Sequence, residues 1–291
     1  MVKIGLVGTG ILGEAVGLHL LESGYSLTVY NRTVSKTASL KEKGAAVVDQ
    51  PKLVAESSDL VITCVKDADA VNHVLFGRDG LVAGKQADIA VADMSTINPN
   101  AAKEISKKLH GEGMRLLEIP VMGGPNVAID GNLVLMASGD KEVFEEYGDV
   151  FDTIASKTFF LGESGSAHSI KLAMNLQISL LALALAEGIT LTRKAGFDPE
   201  KFLEILNSTY FSTGMSQKKA YKMIKDEYQP TFTLKNLKKD LDAITAAAKD
   251  FGATLPIAER ANEIYKDAEN AGFGDIDYTG ILEYIKKLSR D

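Results

Sequence analysis

One cysteine in 291 residues leaves no possible intrachain disulfide. A reducing compartment is therefore the simple expectation. That residue, Cys64, lies in LVITCVK, an apolar run read as a strand, where a thiol serves as a small core residue. Basic runs are missing too. The net charge is -7, and no stretch of Lys and Arg is long enough to act as a polyanion-binding arm. This argues against nucleic-acid and anionic-membrane binding. Long hydrophobic runs are also absent. The most apolar segment, ISLLALALA, is too short to span a bilayer, and Lys171, Asn175 and Gln177 stand just before it. The sequence enters an apolar strand at once in MVKIGLVG, without a secretory apolar region ahead of it, so a cytoplasmic location is expected. There is no low-complexity tract and no fixed-period repeat. No metal site is expected.

What is present is ordinary soluble composition, 24% charged and 45% hydrophobic, over a length suited to about two domains. Through residue 162, short β-rich runs alternate with helical stretches. The runs near Val2–Val7, Ser26–Tyr30, Ala45–Val48, Leu60–Val65, Ile89–Asp93, Arg115–Ile119, Leu133–Ser138 and Thr158–Leu161 read as strands. Several are apolar on both faces, the mark of a parallel sheet covered by helices. After Gly162 strand signals stop, and helices are expected from Ser166 to Ala195 and in five later segments. The expected architecture is an α/β Rossmann dinucleotide-binding domain, residues 1–162, followed by an all-α domain, residues 163–291, for substrate and oligomer contacts.

VGTGILG places Gly8, Gly10 and Gly13 in the GxGxxG spacing, after a strand and at the start of a helix. Gly8 permits the tight turn, Gly10 the approach of a pyrophosphate to the helix N-terminus, and Gly13 close helix–strand packing. Thr9, Ile11 and Leu12 complete the loop. After the second strand, a carboxylate would select NAD by holding the ribose 2′-hydroxyl. This chain has Asn31, Arg32 and Thr33 there, with Lys36 close behind. Hydrogen-bond donors and positive charge suit a 2′-phosphate, so NADP(H) is expected.

Lys171 and Asn175 lie four residues apart in GSAHSIKLAMN and so share one helix face. A lysine is costly to bury unpaired, because desolvation disfavours its charged form. An ammonium and an amide on a buried face suggest a site; a snorkelling lysine and a satisfied core amide are the plainer alternatives. Oxidation of an alcohol needs a hydride acceptor and a group that takes the hydroxyl proton. A lysine shifted down by burial can take and return that proton. A glycine pair, Gly123–Gly124, presents backbone N–H groups to a carboxylate.

VADMSTINP with Asp93, Ser95 and Thr96, LLEIPVMGGPNVAIDGNLVLMASGD with Pro120, Val121, Gly123, Gly124, Ala128, Gly131 and Leu133, and GSAHSIKLAMN follow the N-terminal loop in order. This order resembles the β-hydroxyacid dehydrogenase family, which includes 3-hydroxyisobutyrate dehydrogenases, tartronate semialdehyde reductases and glyoxylate/succinic semialdehyde reductases. The resemblance covers nearly the whole chain. It implies that Lys171 is the acid/base and that Asn175 helps hold the substrate. It places Ser95 and Thr96 by nicotinamide and substrate, and Met122, Gly123 and Gly124 at the substrate carboxylate. Phe232 and Asp240 resemble residues that close the cleft, with Lys239 beside them. Val65, Lys66, Thr96 and Lys239 join the expected cofactor contacts. The site is expected in a cleft between the domains.

Three positions depart from the family pattern. Met122 stands where Ser is usual, removing a hydroxyl donor. Met174 replaces a common Asn, and Ala167 a frequent Gly. His168, one turn before Lys171, is a candidate second proton relay, with a capping or surface role as the alternative. Competing substrates are 3-hydroxyisobutyrate, serine, glyoxylate and succinic semialdehyde, and NADP preference leans towards aldehyde reduction. Imine reductases generally lack the lysine. A 6-phosphogluconate dehydrogenase would want a His beside the helix Asn and a longer chain. A non-catalytic NADP-binding scaffold is the rival from another class. The expected partners are a small carboxylate and, from the resemblance and the apolar long helix, further copies in a homodimer or homotetramer.

Overall fold

A computed structural model describes residues 2–85 and 89–289. The chain divides into two compact units, residues 1–171 and 172–291. The division falls inside the helix Ser166–Lys194, nine residues beyond the boundary read from the sequence. One continuous helix thus belongs to both units, which a change in local pattern at Gly162 does not reveal.

The first unit is built on strands β1 (Lys3–Val7), β2 (Ser26–Tyr30), β3 (Ala46–Val47), β4 (Leu60–Thr63), β5 (Ala90–Asp93), β6 (Arg115–Glu118), β7 (Val121–Met122), β8 (Leu133–Gly139) and β9 (Ala155–Phe160). Their order is β3-β2-β1-β4-β5-β6-β8-β7, with β9 paired to β8. From β3 to β6 all pairings are parallel, as continuous apolar runs require. β8 runs antiparallel to both β6 and β7. Alternate residues feed separate cores on the two faces: Leu60 and Ile62 on one, Val61 on the other. The order changes direction at β1, between β2 and β4, the switch point at which open α/β sheets bind ligands.

The sequence did not signal β7 or the short helix Pro125–Ala128, because two and four residues carry no periodicity. A tight turn, Val34–Thr37, and the helix Ala38–Glu42 follow β2.

The second unit packs helices Pro199–Asn207, Gly214–Lys218, Ala220–Ile224, Leu234–Asp250, Pro256–Ala268 and Ile281–Leu288 around the latter part of Ser166–Lys194. Leu172, Ala186, Ile189, Leu203, Leu237, Leu241 and the fully buried Tyr265 form its core. Taken whole, and unlike ISLLALALA alone, the long helix is apolar and long enough to cross a membrane, which corrects the expectation from the sequence. Its Leu172, Leu183, Ala186 and Ile189 are instead covered by this core. Asp198, Thr213 and Thr233 cap three of the helices with side-chain oxygens. An ion pair closes the unit: Lys219 Nζ donates to both Asp277 carboxylate oxygens, at 3.0 and 2.9 Å, and to Thr231 Oγ1 at 2.9 Å. Burial disfavours the Asp277 charge, but Lys219 and the Thr231 and Thr279 donors outweigh it, holding the carboxyl below its usual value. Burial pulls Lys219 down despite Asp277.

Candidate active site

The glycine loop follows β1 and opens helix Ile11–Glu22. Gly8 has φ +100°, and a Cβ there would meet Cys64 O at 2.2 Å. A Cβ on Gly13 would meet Gly8 O at 2.1 Å. Both positions therefore exclude a side chain, one by conformation and contact, the other by helix–strand approach. Gly10 differs: nothing lies within 4 Å of its missing Cβ. The first N–H groups of the helix have no intrahelical acceptor, and Gly10 provides no side-chain cap. Open space before a positive helix end fits a pyrophosphate.

Asn31 makes two contacts within the loops around the glycine turn. Its Oδ1 accepts Thr9 N–H at 3.1 Å and its Nδ2 donates to Thr33 O at 2.9 Å. Thr9 Oγ1 donates to Lys36 O at 2.8 Å. Asn31 and Thr9 thus lock the glycine loop to the loop after β2. Arg32, Thr33 and Lys36 are exposed, which leaves their side chains available to a phosphate.

Ser95 also turns inward. Its Oγ donates to Asp93 Oδ1 at 2.7 Å and accepts Val65 N–H at 3.0 Å, and the residue is 2% exposed. This hydroxyl joins the loops after β4 and β5. Thr96 follows on the same loop and is only partly buried. Val65 packs over the glycine loop, its Cγ1 3.0 Å from the missing Cβ of Gly8. Lys66 is exposed, 3.9 Å from Asp67.

Lys171 is 9% exposed, and its Nζ lies 3.2 Å from Met122 Sδ. Met122 ends β7, and Gly123 follows with φ +121°. Gly124 precedes the Pro125–Ala128 turn of helix, so the glycine pair stands just before a helix start. The fold thus brings the expected acid/base group to the segment expected to bind the substrate. His168 is fully buried, its Nε2 3.8 Å from Glu118 Oε2, which overturns the surface reading.

In the second unit, Asn175 Nδ2 donates to Asp240 Oδ2 at 2.7 Å. Lys239 Nζ lies 2.8 Å from the other Asp240 oxygen. Asn175 is 2% and Asp240 1% exposed. Asn175 Oδ1 accepts no hydrogen bond among the described residues. Phe232 is half-buried, edge-on to Tyr278 with ring centroids 6.1 Å apart.

A glycine-loop cradle at the sheet switch point and a buried lysine beside a Gly-Gly turn define a dinucleotide-binding oxidoreductase. Residues 3–162 match the NAD-binding domain of 6-phosphogluconate dehydrogenase. Residues 165–285 match the NAD-binding domain of NADP-dependent 3-hydroxyisobutyrate dehydrogenase. Glyoxylate/succinic semialdehyde reductase 1 of Arabidopsis thaliana is 34% identical over 284 residues, covering 98% of each chain. Cytokine-like nuclear factor N-PAC of Anopheles gambiae is 32% identical over 96% of this chain, which spans about half (49%) of that protein. A solved 3-hydroxyisobutyrate dehydrogenase from Salmonella typhimurium superimposes with a TM-score of 0.90 at 26% identity, over 98% of this chain and 100% of that one. The protein belongs to the β-hydroxyacid dehydrogenase family and binds NAD(P).

Proposed function

We propose that the protein is an NADP(H)-dependent oxidoreductase that interconverts a small 3-hydroxy acid and its semialdehyde, with Lys171 as acid/base. The observation that carries this reading is the buried Lys171 ammonium, 3.2 Å from Met122 and next to the Gly123–Gly124 turn. When bound, the nicotinamide supplies or accepts the hydride. In reduction, Lys171 Nζ gives its proton to the carbonyl oxygen as that oxygen gains negative charge. In oxidation, neutral Lys171 takes the hydroxyl proton. The Gly123 and Gly124 N–H groups and Thr96 orient the substrate carboxylate. Asp240 can only accept, so it fixes the Asn175 amide hydrogen and leaves Oδ1 as an acceptor.

Arg32, Thr33 and Lys36 support NADP(H) over NAD(H), and NADP(H) favours aldehyde reduction. Glyoxylate and succinic semialdehyde are the second reading, favoured by the likeness to the plant reductase. A cytoplasmic homo-oligomer completes the proposal. The exposed Ile170, Met174, Leu181 and Leu191 along the long helix support self-association. The test is a panel of semialdehydes, glyoxylate and 3-hydroxy acids, assayed with both cofactors on wild type and Lys171→Ala. Turnover of a panel member that falls by more than about a hundredfold in the variant, with NADPH binding retained, is the expected result. Near-normal turnover in Lys171→Ala would sink the assignment.

A further inference from the structure

Four polar residues form a row across the first unit's sheet. Register pairs Thr63 with Asp93, Asp93 with Glu118, and Glu118 with Ser138, across β4, β5, β6 and β8. All are at most 2% exposed. Thr63 Oγ1 donates to Asp93 Oδ1 at 2.6 Å, and Ser138 Oγ to Glu118 Oε2 at 2.6 Å. Apolar residues would fill this space without the cost of burying carboxylates. The half of the row around Asp93 shapes the loop of Ser95 and Thr96, as described above.

The other half reaches the start of the helix carrying Lys171. Gly165 N–H donates to both Glu118 oxygens, at 2.9 and 2.8 Å, and Ser164 Oγ donates to Oε1. Ser138 Oγ accepts Ala167 N–H at 3.0 Å, one of the helix's first N–H groups. His168 Nε2 stands 3.8 Å from Glu118. Burial raises the Glu118 carboxyl despite the Ser138, Ser164 and Gly165 donors. Gly165 itself has φ +88°, and a Cβ would meet Pro99 O at 2.9 Å, so the chain is closely held just before the first turn.

The same two residues sit on β6 and β8, the strands next to β7 and its Met122 in chain and in sheet. Glu118 lies four residues before it, and Ser138 is on β8, whose Val134 pairs with Met122. We propose that Glu118, with its cross-strand partner Ser138, is a positioning residue for the reaction. The pair fixes the height and rotation of the helix start, and so sets the Lys171 ammonium against Met122 and the Gly123–Gly124 turn. It touches neither substrate nor cofactor and acts through Lys171. This inference rests on the acid/base reading of Lys171.

The experiment compares Ser138→Ala, Ser138→Thr, Glu118→Gln and Glu118→Ala with wild type, with Lys171→Ala as reference. Steady-state kinetics are read beside amide hydrogen exchange of the peptide covering residues 164–172. Ser138→Ala is expected to lower kcat about tenfold, the scale of one lost hydrogen bond in a positioned group, while KM for NADPH stays within about twofold. Exchange at the helix start quickens. Ser138→Thr restores most of the rate by keeping the hydroxyl. Glu118→Gln keeps the shape and one acceptor oxygen, so it retains more kcat than Glu118→Ala. Should Glu118→Ala fail to fold, the two Ser138 variants still decide. Wild-type kcat in both Ser138→Ala and Glu118→Gln, or unchanged exchange at the helix start in Ser138→Ala, would overturn the proposal. Normal turnover in Lys171→Ala would instead remove the acid/base reading, a failure separable because the exchange result does not depend on it.

Discussion

Asn175 gives its amide hydrogen to Asp240 over 2.7 Å, in surroundings that leave each residue at most 2% exposed. The bond orients the amide as well as holding it. Asn175→Asp would put two buried carboxylates together, while Lys239 already pairs with Asp240. An uncompensated buried charge costs about 3 kcal/mol. We expect a Tm loss of roughly 12 °C for a unit of this size. Asn175→Asp combined with Asp240→Asn reverses donor and acceptor. It should recover at least half of the loss in a thermal melt; an additive double variant would show that the bond contributes little.

Met122 gives Lys171 a sulfur neighbour, a weak acceptor. A serine there adds a hydroxyl that can donate to a substrate carboxylate. Met122→Ser should raise kcat/KM for glyoxylate or another small carboxylate about tenfold, one charge-assisted hydrogen bond's worth. An unchanged kcat/KM across the panel would mean that this side chain does not face the carboxylate.

Arg32 is exposed at the position expected to read the ribose phosphate. Arg32→Asp replaces attraction with repulsion there. The ratio of kcat/KM for NADPH over NADH should fall by about tenfold or more. Retention of the original ratio would place the phosphate elsewhere.

Lys219 outweighs the burial of Asp277. Because the folded carboxyl lies below its usual value, its stabilisation is present above the unfolded value of about 3.9 and is lost as pH falls through the folded one. Lys219→Met leaves the carboxylate buried without its cation. At pH 7 we expect a loss of about 3 kcal/mol, the low end for breaking a buried pair, because Lys219 keeps some solvent contact. The Tm gap between variant and wild type should narrow as pH falls towards about 4 and below, because the variant's buried carboxyl, without its cation, is protonated before the wild type's. A gap independent of pH would assign the effect to packing alone.

Much of the fold was legible because it rests on local patterns. β1, the glycine loop and β2 are a contiguous run in which strand, turn and helix signals agree. The apolar run of β4 announced a strand buried on both faces. Lys171 was visible because a cation is out of place in an apolar helix. The fates of Asn31 and Ser95 were not legible. Whether a polar side chain faces a ligand or a neighbouring loop depends on what lies opposite, and Thr9 N and Val65 N, 22 and 30 residues away, are supplied by tertiary structure. Glu118 was hidden for the same reason. In LLEIPVMGG it reads as one acid at a strand end, while its partners Ser138, Ser164 and Gly165 lie 20 to 47 residues away. The helix Pro99–Gly111 did carry a local signal, Asn98 followed by Pro99 at its first position, which an N-cap search recovers.

The Asn31 bridge makes cofactor choice and loop shape one inherited trait. An aspartate at 31 would keep an acceptor for Thr9 N–H, but its second oxygen would face Thr33 O in place of a donor. A lineage drifting towards NAD(H) through position 31 would therefore meet a fitness valley in loop order before gaining the new preference. Routes beginning at Arg32 or Lys36, whose side chains carry no such duty, stay on level ground. Directed evolution of this scaffold should accordingly fix its first cofactor-switching changes at 32 and 36, and reach 31 late, because its partners, Thr9 N–H and Thr33 O, are backbone groups that side-chain changes at those residues do not remove.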